Sequence, residues 1–419
     1  MDIERLAMQI PVRTALMPLS QALESLLMAV ECPLPAEGVC TLDSDGRVLA
    51  HDVVSALHVP PQDNSAMDGY AVRCVDVSEP GAVLSVTQRI AAGSCGRIVE
   101  PFTAARIFTG APVPPGADAV VMQEDCRVVN DCEGGVRIQT VPRTGQYIRR
   151  AGEDVARGQL VLHVGQRLGP AEMGLAASVG MHTLQVARRP RVALFSTGDE
   201  LVMPGAVAPQ DMPPGAIYNS NRFFLAAFLR RAGCEVTDQG IVPDRLDATI
   251  SALQLAAQTH DVILTSGGVS VGEEDHIKPA VQALGALDLW QIAIKPGKPF
   301  AYGRVGDSHF LGLPGNPVSS FVTFLLLVRP FLLRLQGVTD VAMKTVAARA
   351  DFAWPRADKR QEFLRVRRNA NGGLDLFPNQ SSGVLTSAVW GDGLVDNPPG
   401  GVIVPGDVVQ FVSFAELFA

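Results

Sequence analysis

Four short polar stretches in the second half of the chain carry residue types that could handle a phosphate, a metal ion and an oxyanion together. The stretch Thr265-Ser-Gly-Gly-Val-Ser-Val-Gly-Glu-Glu-Asp275 offers two hydroxyls, at Ser266 and Ser270. Its glycines, Gly267, Gly268 and Gly272, let backbone N–H groups approach an anion with no Cβ in the way. Asp275 closes it with a carboxylate placed to hold a divalent cation against a bound phosphate. Ser196-Thr-Gly-Asp-Glu-Leu201 adds Asp199 and Glu200. In Lys295-Pro-Gly-Lys-Pro299, the prolines stiffen a loop whose two ammonium groups, on Lys295 and Lys298, suit an oxyanion. Leu313-Pro-Gly-Asn-Pro317 sets Pro314, Gly315 and Asn316 at a helix start, where free N–H groups and the helix dipole favour negative charge. Taken singly, each stretch has a plainer reading: a turn that caps a strand, two solvated lysines, a helix cap. Their company points to a nucleotide or phosphate-bearing ligand lying across one rim of a sheet.

The elements needed to position these loops are legible in the hydrophobic pattern. From Arg191 the rhythm is strand, loop, helix, repeated: strands at 191–196, 234–242, 261–265, 287–294 and 309–313, with helices over 221–233, capped by Asn219 to Asn221, 246–259 and 276–284. Asn316-Pro317 starts a long apolar helix, with Asn as N-cap and Pro at the first helical position. This alternation predicts a three-layer α/β domain with a mainly parallel sheet between helices. Before it, residues 57–141 read as short strands separated by Gly and Pro, a β-rich insertion. The flanks, a helix over 19–30 and a strand and short helix over 152–180, form a small α/β linker domain. After Gly337 short strands return, giving a C-terminal β-barrel-like domain. The expected boundaries are 1–56 with 152–188, 57–151, 189–337 and 338–419.

Composition excludes several function classes. The chain has 419 residues, room for about three domains with cores of their own. A net charge of −8 and the lack of a Lys/Arg run argue against general electrostatic binding of nucleic acid, so an anionic ligand must be held by local groups. The seven cysteines form no Cys-x-x-Cys pair and the histidines do not cluster with them, which disfavours a zinc site or a disulfide framework and fits a reducing cytoplasm. Met-Asp-Ile-Glu-Arg at the start lacks the basic and apolar blocks of a secretory leader. The most apolar segment, 321–335, is interrupted by Arg329 and Pro330, so no membrane span is expected.

Seven motifs carry a family resemblance. Asp63-Asn-Ser-Ala-Met-Asp-Gly-Tyr-Ala71, Phe108-Thr-Gly-Ala-Pro-Val-Pro114, Arg150-Ala-Gly-Glu-Asp154 and the four stretches above, the last two running on to Phe300 and Val318, occur in the order found in the MoeA family, which includes a domain of gephyrin. The resemblance spans nearly the whole chain. It implies an L-shaped homodimer of four-domain subunits, with a MogA-like α/β domain. It further implies conversion of adenylylated molybdopterin and molybdate to molybdenum cofactor, with AMP released and Mg²⁺ gathering the phosphoanhydride oxygens. By the same resemblance, Asp63, Glu200, Asp244 and Asp275 are the acidic positions, with Glu200, Asp244 and Asp275 on the metal. Thr109 and Asp154 match further active-site positions, and Lys295 matches the family lysine. Arg360 and Ser382 correspond to C-terminal contributors to oxyanion binding, with Arg356, Lys359 and Ser381 beside them as alternatives. Ser266, Gly267, Gly268, Ser270, Lys298, Pro314, Gly315 and Asn316 would contact the pterin nucleotide.

The resemblance also implies that Asp63 and Thr109 reach the α/β domain of the other subunit. A MogA-like adenylyltransferase upstream and recipient apoenzymes downstream are the implied partners, with neither nucleic acid nor membrane. One departure stands out: Gln291 occupies a position, four residues before Lys295, where some relatives carry a lysine. Two other functions compete. A non-catalytic molybdopterin-binding scaffold would not need the acidic set. A hydrolase of another adenylylated small molecule would not need the lysines.

Overall fold

The computed structural model describes residues 16–129, 134–243, 245–269 and 276–418. Two compact units result: one takes the chain up to Glu37, then 46–50 and everything from Val186, and the other takes 38–45 and 51–185.

The larger unit is built on a six-stranded sheet. Its strands are β1 (Arg191–Thr197), β2 (Glu235–Val242), β3 (Val262–Ser266), β4 (Gly285–Gln291), β5 (Pro299–Val305) and β6 (Ser308–Leu313), in the order β2-β1-β3-β6-β5-β4. The first four in that order are parallel, whereas β5 runs antiparallel to both of its neighbours, β6 and the edge strand β4. Strand β5 escapes the sequence reading because Pro299 opens it. A proline cannot donate to a ladder, but at the first strand position no donor is missed.

Alternation along the strands makes the three layers. Val192, Leu194, Val262, Leu264, Leu311 and Leu313 face one core with helix α1 (Asn221–Arg231) and the long helix α4 (Pro317–Leu335). Ala193, Phe195, Ile263 and Phe310 face the other, with α2 (Leu246–Ala257) and α3 (Ile277–Leu284). A period of two along strands buried on both faces gives near-continuous apolar runs, as the sequence shows. Helix α4 is long and apolar enough to cross a membrane, yet 89% of its apolar window is buried inside this core. Arg329 and Pro330 do not interrupt it. A π-turn over Phe324–Val328 widens the helix just before Pro330, accommodating the ring and its missing N–H. Phe331 is fully buried in this core, and Phe331→Ala should cost about 3–5 kcal/mol.

The C-terminal sheet belongs to the same unit. Gln361–Arg368 pairs with Gly393–Asn397, which pairs with Val408–Ser413 and then Val346–Arg349. The two-residue strand Ile294–Lys295 joins its edge in parallel with Gln361–Arg368, placing Lys295 opposite Glu362.

The smaller unit holds a second six-stranded sheet, ordered Ala119–Met122, Gly69–Val72, Thr103–Ile107, Val83–Ile90, Gly135–Ile138 and Cys126–Val129. Its fully buried residues include Val72, Leu84, Ala104, Val121 and Ile138. Helix Pro170–Ser178 lies in this unit too, where Glu172 accepts the Gly169 N–H at 2.9 Å, as a helix start beginning with Pro requires.

Candidate active site

Strands β1, β2, β3 and β6 are adjacent and parallel, and their C-terminal ends open into a cavity of about 540 Å³. The chain leaves β1 to β2 on one side and β3 on the other, so the cavity sits at a topological switch point. Its lining includes Gly198 and Glu200 after β1, Ser266, Gly267 and Gly268 after β3, and Pro314, Gly315 and Asn316 after β6. All four stretches singled out in the sequence therefore reach one cavity, the Lys295–Pro299 stretch through Pro299 alone.

Backbone conformation explains the glycines there. Gly267 has φ of +96°, and a Cβ on it would lie 2.9 Å from the Thr197 carbonyl oxygen. Gly198 has φ of +136°, and a Cβ would lie 2.4 Å from Glu200 Oε2, so the carboxylate folds back over the space the glycine leaves open. The N–H of Gly267 is not directed at a ligand, however: it donates to Leu313 O at 3.0 Å and ties the β3 loop to the end of β6.

Polar groups at the cavity wall reveal residues the sequence reading passed over. Asn221 donates through Nδ2 to Ser266 Oγ at 2.8 Å and to Gly315 O at 2.7 Å, bridging two of the loops. Its Oδ1, the Nδ2 of Asn219 and the hydroxyl of Thr197 are buried with no partner among the described residues. An unpaired buried polar atom costs about 1–3 kcal/mol, so three around one cavity mark places where a ligand's own polar groups would be satisfied. In the sequence, Asn219 to Asn221 read as helix capping. Asn219 Oδ1 does accept the Arg222 N–H at 3.2 Å, and Asn219, Ser220 and Asn221 all line the cavity.

Lys295, Lys298, Arg360 and Ser382 do not line this cavity. Lys295 Nζ instead donates to Glu362 Oε1 at 2.9 Å and Asp358 Oδ2 at 3.3 Å. Glu362 is buried, and its second oxygen accepts from Trp354 Nε1 at 2.7 Å and Asn397 Nδ2 at 3.3 Å. Arg360 grips Asp358 with a two-pronged pair at 3.0 and 2.8 Å, holding that carboxyl well below the usual carboxylate range. Two cations and two carboxylates thus balance. Lys298 is exposed. Ser382 reaches the start of α4 through its backbone: its carbonyl accepts the Val318 N–H at 2.9 Å, taking up a donor at the helix start.

The smaller unit assembles the other three motifs on its own. Ser65 and Asn64 pair with Ile148 and Arg149, while the Val113 N–H donates to Asp63 O and the Gly110 N–H to Ser65 O. Asp63 accepts the Ala151 N–H at 2.9 Å and pairs with Arg150 at 2.5 Å, and these contacts hold its carboxyl below the ordinary range. Asp68 Oδ1 accepts both the N–H and the hydroxyl of Thr109. Asp154 is exposed, with its N–H on Val59 O at 3.0 Å.

Asp244, Asp275, Ser270 and Gly272 lie outside the described residues. Among the described residues no trio of His, Cys, Asp or Glu is grouped to hold a metal ion.

Comparison with known proteins covers almost the whole chain. Residues 17–180 match the MoeA N-terminal region (domain I and II), 193–334 a probable molybdopterin binding domain, and 347–414 the MoeA C-terminal region (domain IV). The chain is 42% identical to the molybdopterin molybdenumtransferase of Haemophilus influenzae, over 80% of this chain and 85% of that one. It is 38% identical to molybdopterin molybdenumtransferase 2 of Mycobacterium tuberculosis, over 89% and 92%. The molybdopterin biosynthesis moeA protein of Pyrococcus horikoshii superposes with a TM-score of 0.83 at 27% identity, covering 96% of this chain and all of that one.

Proposed function

Since this chain belongs to the MoeA family, and its relatives are molybdopterin molybdenumtransferases, we infer that it transfers molybdenum from molybdate to adenylylated molybdopterin, giving molybdenum cofactor and AMP. The transferase activity follows from the family; the adenylylated substrate, the Mg²⁺ requirement and the residue roles are our proposal. The observation that carries it is the cavity at the ends of β1, β3 and β6, with unpaired Thr197, Asn219 and Asn221 atoms in its wall.

The donors present suit a hard cation. Glu200 at the cavity is a carboxylate, and Thr197 Oγ1 and Asn221 Oδ1 are unpaired oxygens. Glu200, with Asp244 and Asp275, would hold Mg²⁺, which when bound neutralises charge on the phosphoanhydride oxygens. Ser266, Gly268, Gly315 and Asn316 orient the nucleotide, and Asn221 keeps their loops in register. Water cleaves the anhydride between the pterin phosphate and AMP. The two dithiolene thiols displace one oxygen from molybdate, which leaves as a single water carrying both thiol protons, with molybdenum unchanged in oxidation state. Lys295, Lys298, Arg360 and Ser382 would handle the oxyanion. Because Lys295 and Arg360 are already paired, the oxyanion must compete with Glu362 and Asp358 for them.

We further propose a homodimer in which Asp63 and Thr109 of one protomer complete the cavity of the other. These two residues and the cavity are each organised within a separate unit of the chain. An adenylyltransferase must supply the substrate, and a molybdenum-dependent apoenzyme must consume the product.

The test is AMP release from adenylylated molybdopterin with molybdate, after metal depletion and again after Mg²⁺ is restored. Release that returns with Mg²⁺ supports the reading. Release that is equally fast without any divalent ion removes the metal from it.

A further inference from the structure

Two arginines of the smaller unit share one aromatic ring. Arg89 on strand Val83–Ile90 is the register partner of Arg106 on strand Thr103–Ile107, and Arg106 in turn faces Tyr70. Like charges facing each other across a strand pair are unfavourable, so the pairing calls for an explanation. Both guanidiniums lie over Phe108, with Arg89 Cζ 4.4 Å and Arg106 Cζ 4.8 Å from the ring centroid. They are otherwise held differently. Arg106 is half-buried and engaged in its own fold: Nη1 donates to Gly69 O at 2.9 Å, Nη2 donates to Gln123 Oε1 at 2.6 Å, and the Tyr70 ring lies 5.1 Å away. Arg89 is exposed, makes no ion pair among the described residues, and is held by the Phe108 ring.

Phe108 is the residue before Thr109, and both are pinned. The Phe108 N–H donates to Ile90 O at 3.3 Å, while Asp68 takes the Thr109 N–H and hydroxyl at 2.8 Å each. The ring is thereby fixed, and with it the guanidinium of Arg89, one residue from the Thr109 hydroxyl. An exposed arginine ordinarily moves freely in water, its donors satisfied by solvent. An aromatic face restricts its rotamers without consuming its N–H donors as a carboxylate would, so Arg89 is ordered in advance and keeps those donors for a ligand. The cavity at the ends of β1, β3 and β6 has the complementary deficiency. Its described lining offers hydroxyls, amides, backbone groups and Glu200, and it includes neither lysine nor arginine. A nucleotide bound there meets no fixed side-chain cation from the same unit.

We propose that Arg89 of one protomer binds a phosphate oxygen of the adenylylated pterin held in the cavity of the other, with Phe108 as the positioning residue that keeps the guanidinium beside Thr109. This rests on the reading above that Thr109 completes the cavity of the second protomer. A guanidinium is permanently charged and its planar fork matches phosphate oxygens, so it supplies the cation that the cavity lacks. The repulsion between Arg89 and Arg106 is relieved when an anion arrives, which makes the like-charged pair favourable in the loaded enzyme.

Arg89→Ala, Phe108→Leu and the double variant are made in the full-length protein, with folding checked by circular dichroism and AMP release followed against adenylylated molybdopterin. Arg89→Ala should raise KM for the pterin nucleotide at least about tenfold, the scale of a hydrogen bond to a charged group. Phe108→Leu should raise it about threefold, and the double variant no further than Arg89→Ala alone, because the ring acts through the guanidinium. Subunit exchange locates the group. Heterodimers of Arg89→Ala with Glu200→Ala contain one intact site and should recover up to about half the per-site wild-type kcat/KM, whereas those with Asp63→Ala contain none and should stay at or below the Arg89→Ala level. Unchanged KM in folded Arg89→Ala, losses from the two single variants that multiply in the double variant, or recovery with Asp63→Ala but not with Glu200→Ala overturns the proposal. Failure of Asp63→Ala and Glu200→Ala to complement each other would instead defeat the shared site, and the role of Arg89 with it.

Discussion

Asp68 accepts both the backbone N–H and the hydroxyl of Thr109 on one carboxylate oxygen, each at 2.8 Å. The hydroxyl proton is thereby committed inward, and the oxygen lone pairs of Thr109 are left for an incoming group. Asp68→Ala should release this orientation and lower AMP release about tenfold or more, the scale of one hydrogen bond to a charged group. Steady-state kinetics on the folded variant checks this; wild-type turnover would show that Thr109 needs no orienting partner.

The pairing of Lys295 with buried Glu362 makes two single variants informative together. Lys295→Ala should weaken molybdate use more than pterin-nucleotide binding, since an oxyanion depends heavily on each fixed cation. It should also lower stability by about 1–3 kcal/mol, because Glu362 loses a partner while buried. Glu362→Gln in the Lys295→Ala background should recover part of that stability and none of the molybdate affinity, as read by urea unfolding and by molybdate titration. Equal loss for both ligands in Lys295→Ala would assign the lysine to the nucleotide phosphate instead.

His309 supplies a pH signature independent of the active site. It is buried, with Tyr302 Oη 2.9 Å from Nδ1 and Arg304 Nη1 3.0 Å from Nε2. Burial first, and then the Arg304 charge, push its imidazole down to about 4, with Asp261 opposing weakly. Between pH ~6.5 and ~4 the unfolded chain binds a proton that the folded chain refuses, so this contribution is present above 6.5 and lost as pH falls through that window. The full loss is about 3 kcal/mol. Urea midpoints measured from pH 7 to 4 should fall more steeply in wild type than in His309→Phe; parallel slopes would contradict this.

Much of the site's frame was readable from the residues alone, because its signals are local. Apolar strands followed by glycine, and Asn-Pro at the start of α4, locate the cavity's rim without any tertiary information. Strand β5 was hidden by Pro299, whose position at the strand start only the fold reveals. Asn221 looked like a helix cap because its partners, Ser266 and Gly315, lie 45 and 94 residues away. Glu362 was hidden for the same reason: a charged residue in an alternating strand reads as solvent-facing until its long-range partners are known. Lys295 was legible as a cation, but not as one already neutralised.

A shared site predicts complementation. Asp63→Ala and Glu200→Ala homodimers should each be inactive. After subunit exchange, heterodimers contain one doubly altered site and one intact site, and should recover up to about half the per-site wild-type rate. Verified heterodimers that stay inactive, with an active wild-type exchange control, would argue that each protomer holds a whole site.

The most direct measurement of the central claim is a single-turnover experiment with adenylylated molybdopterin, Mg²⁺ and molybdate, quantifying AMP and molybdenum-bound pterin in the same samples. The account predicts one AMP for each molybdenum-bound pterin, with both products reduced by two to three orders of magnitude in Asp275→Asn, roughly the 3–4 kcal/mol that a strong preorganised contact supplies. AMP release that proceeds without any molybdenum entering the pterin would contradict it and make the protein a hydrolase.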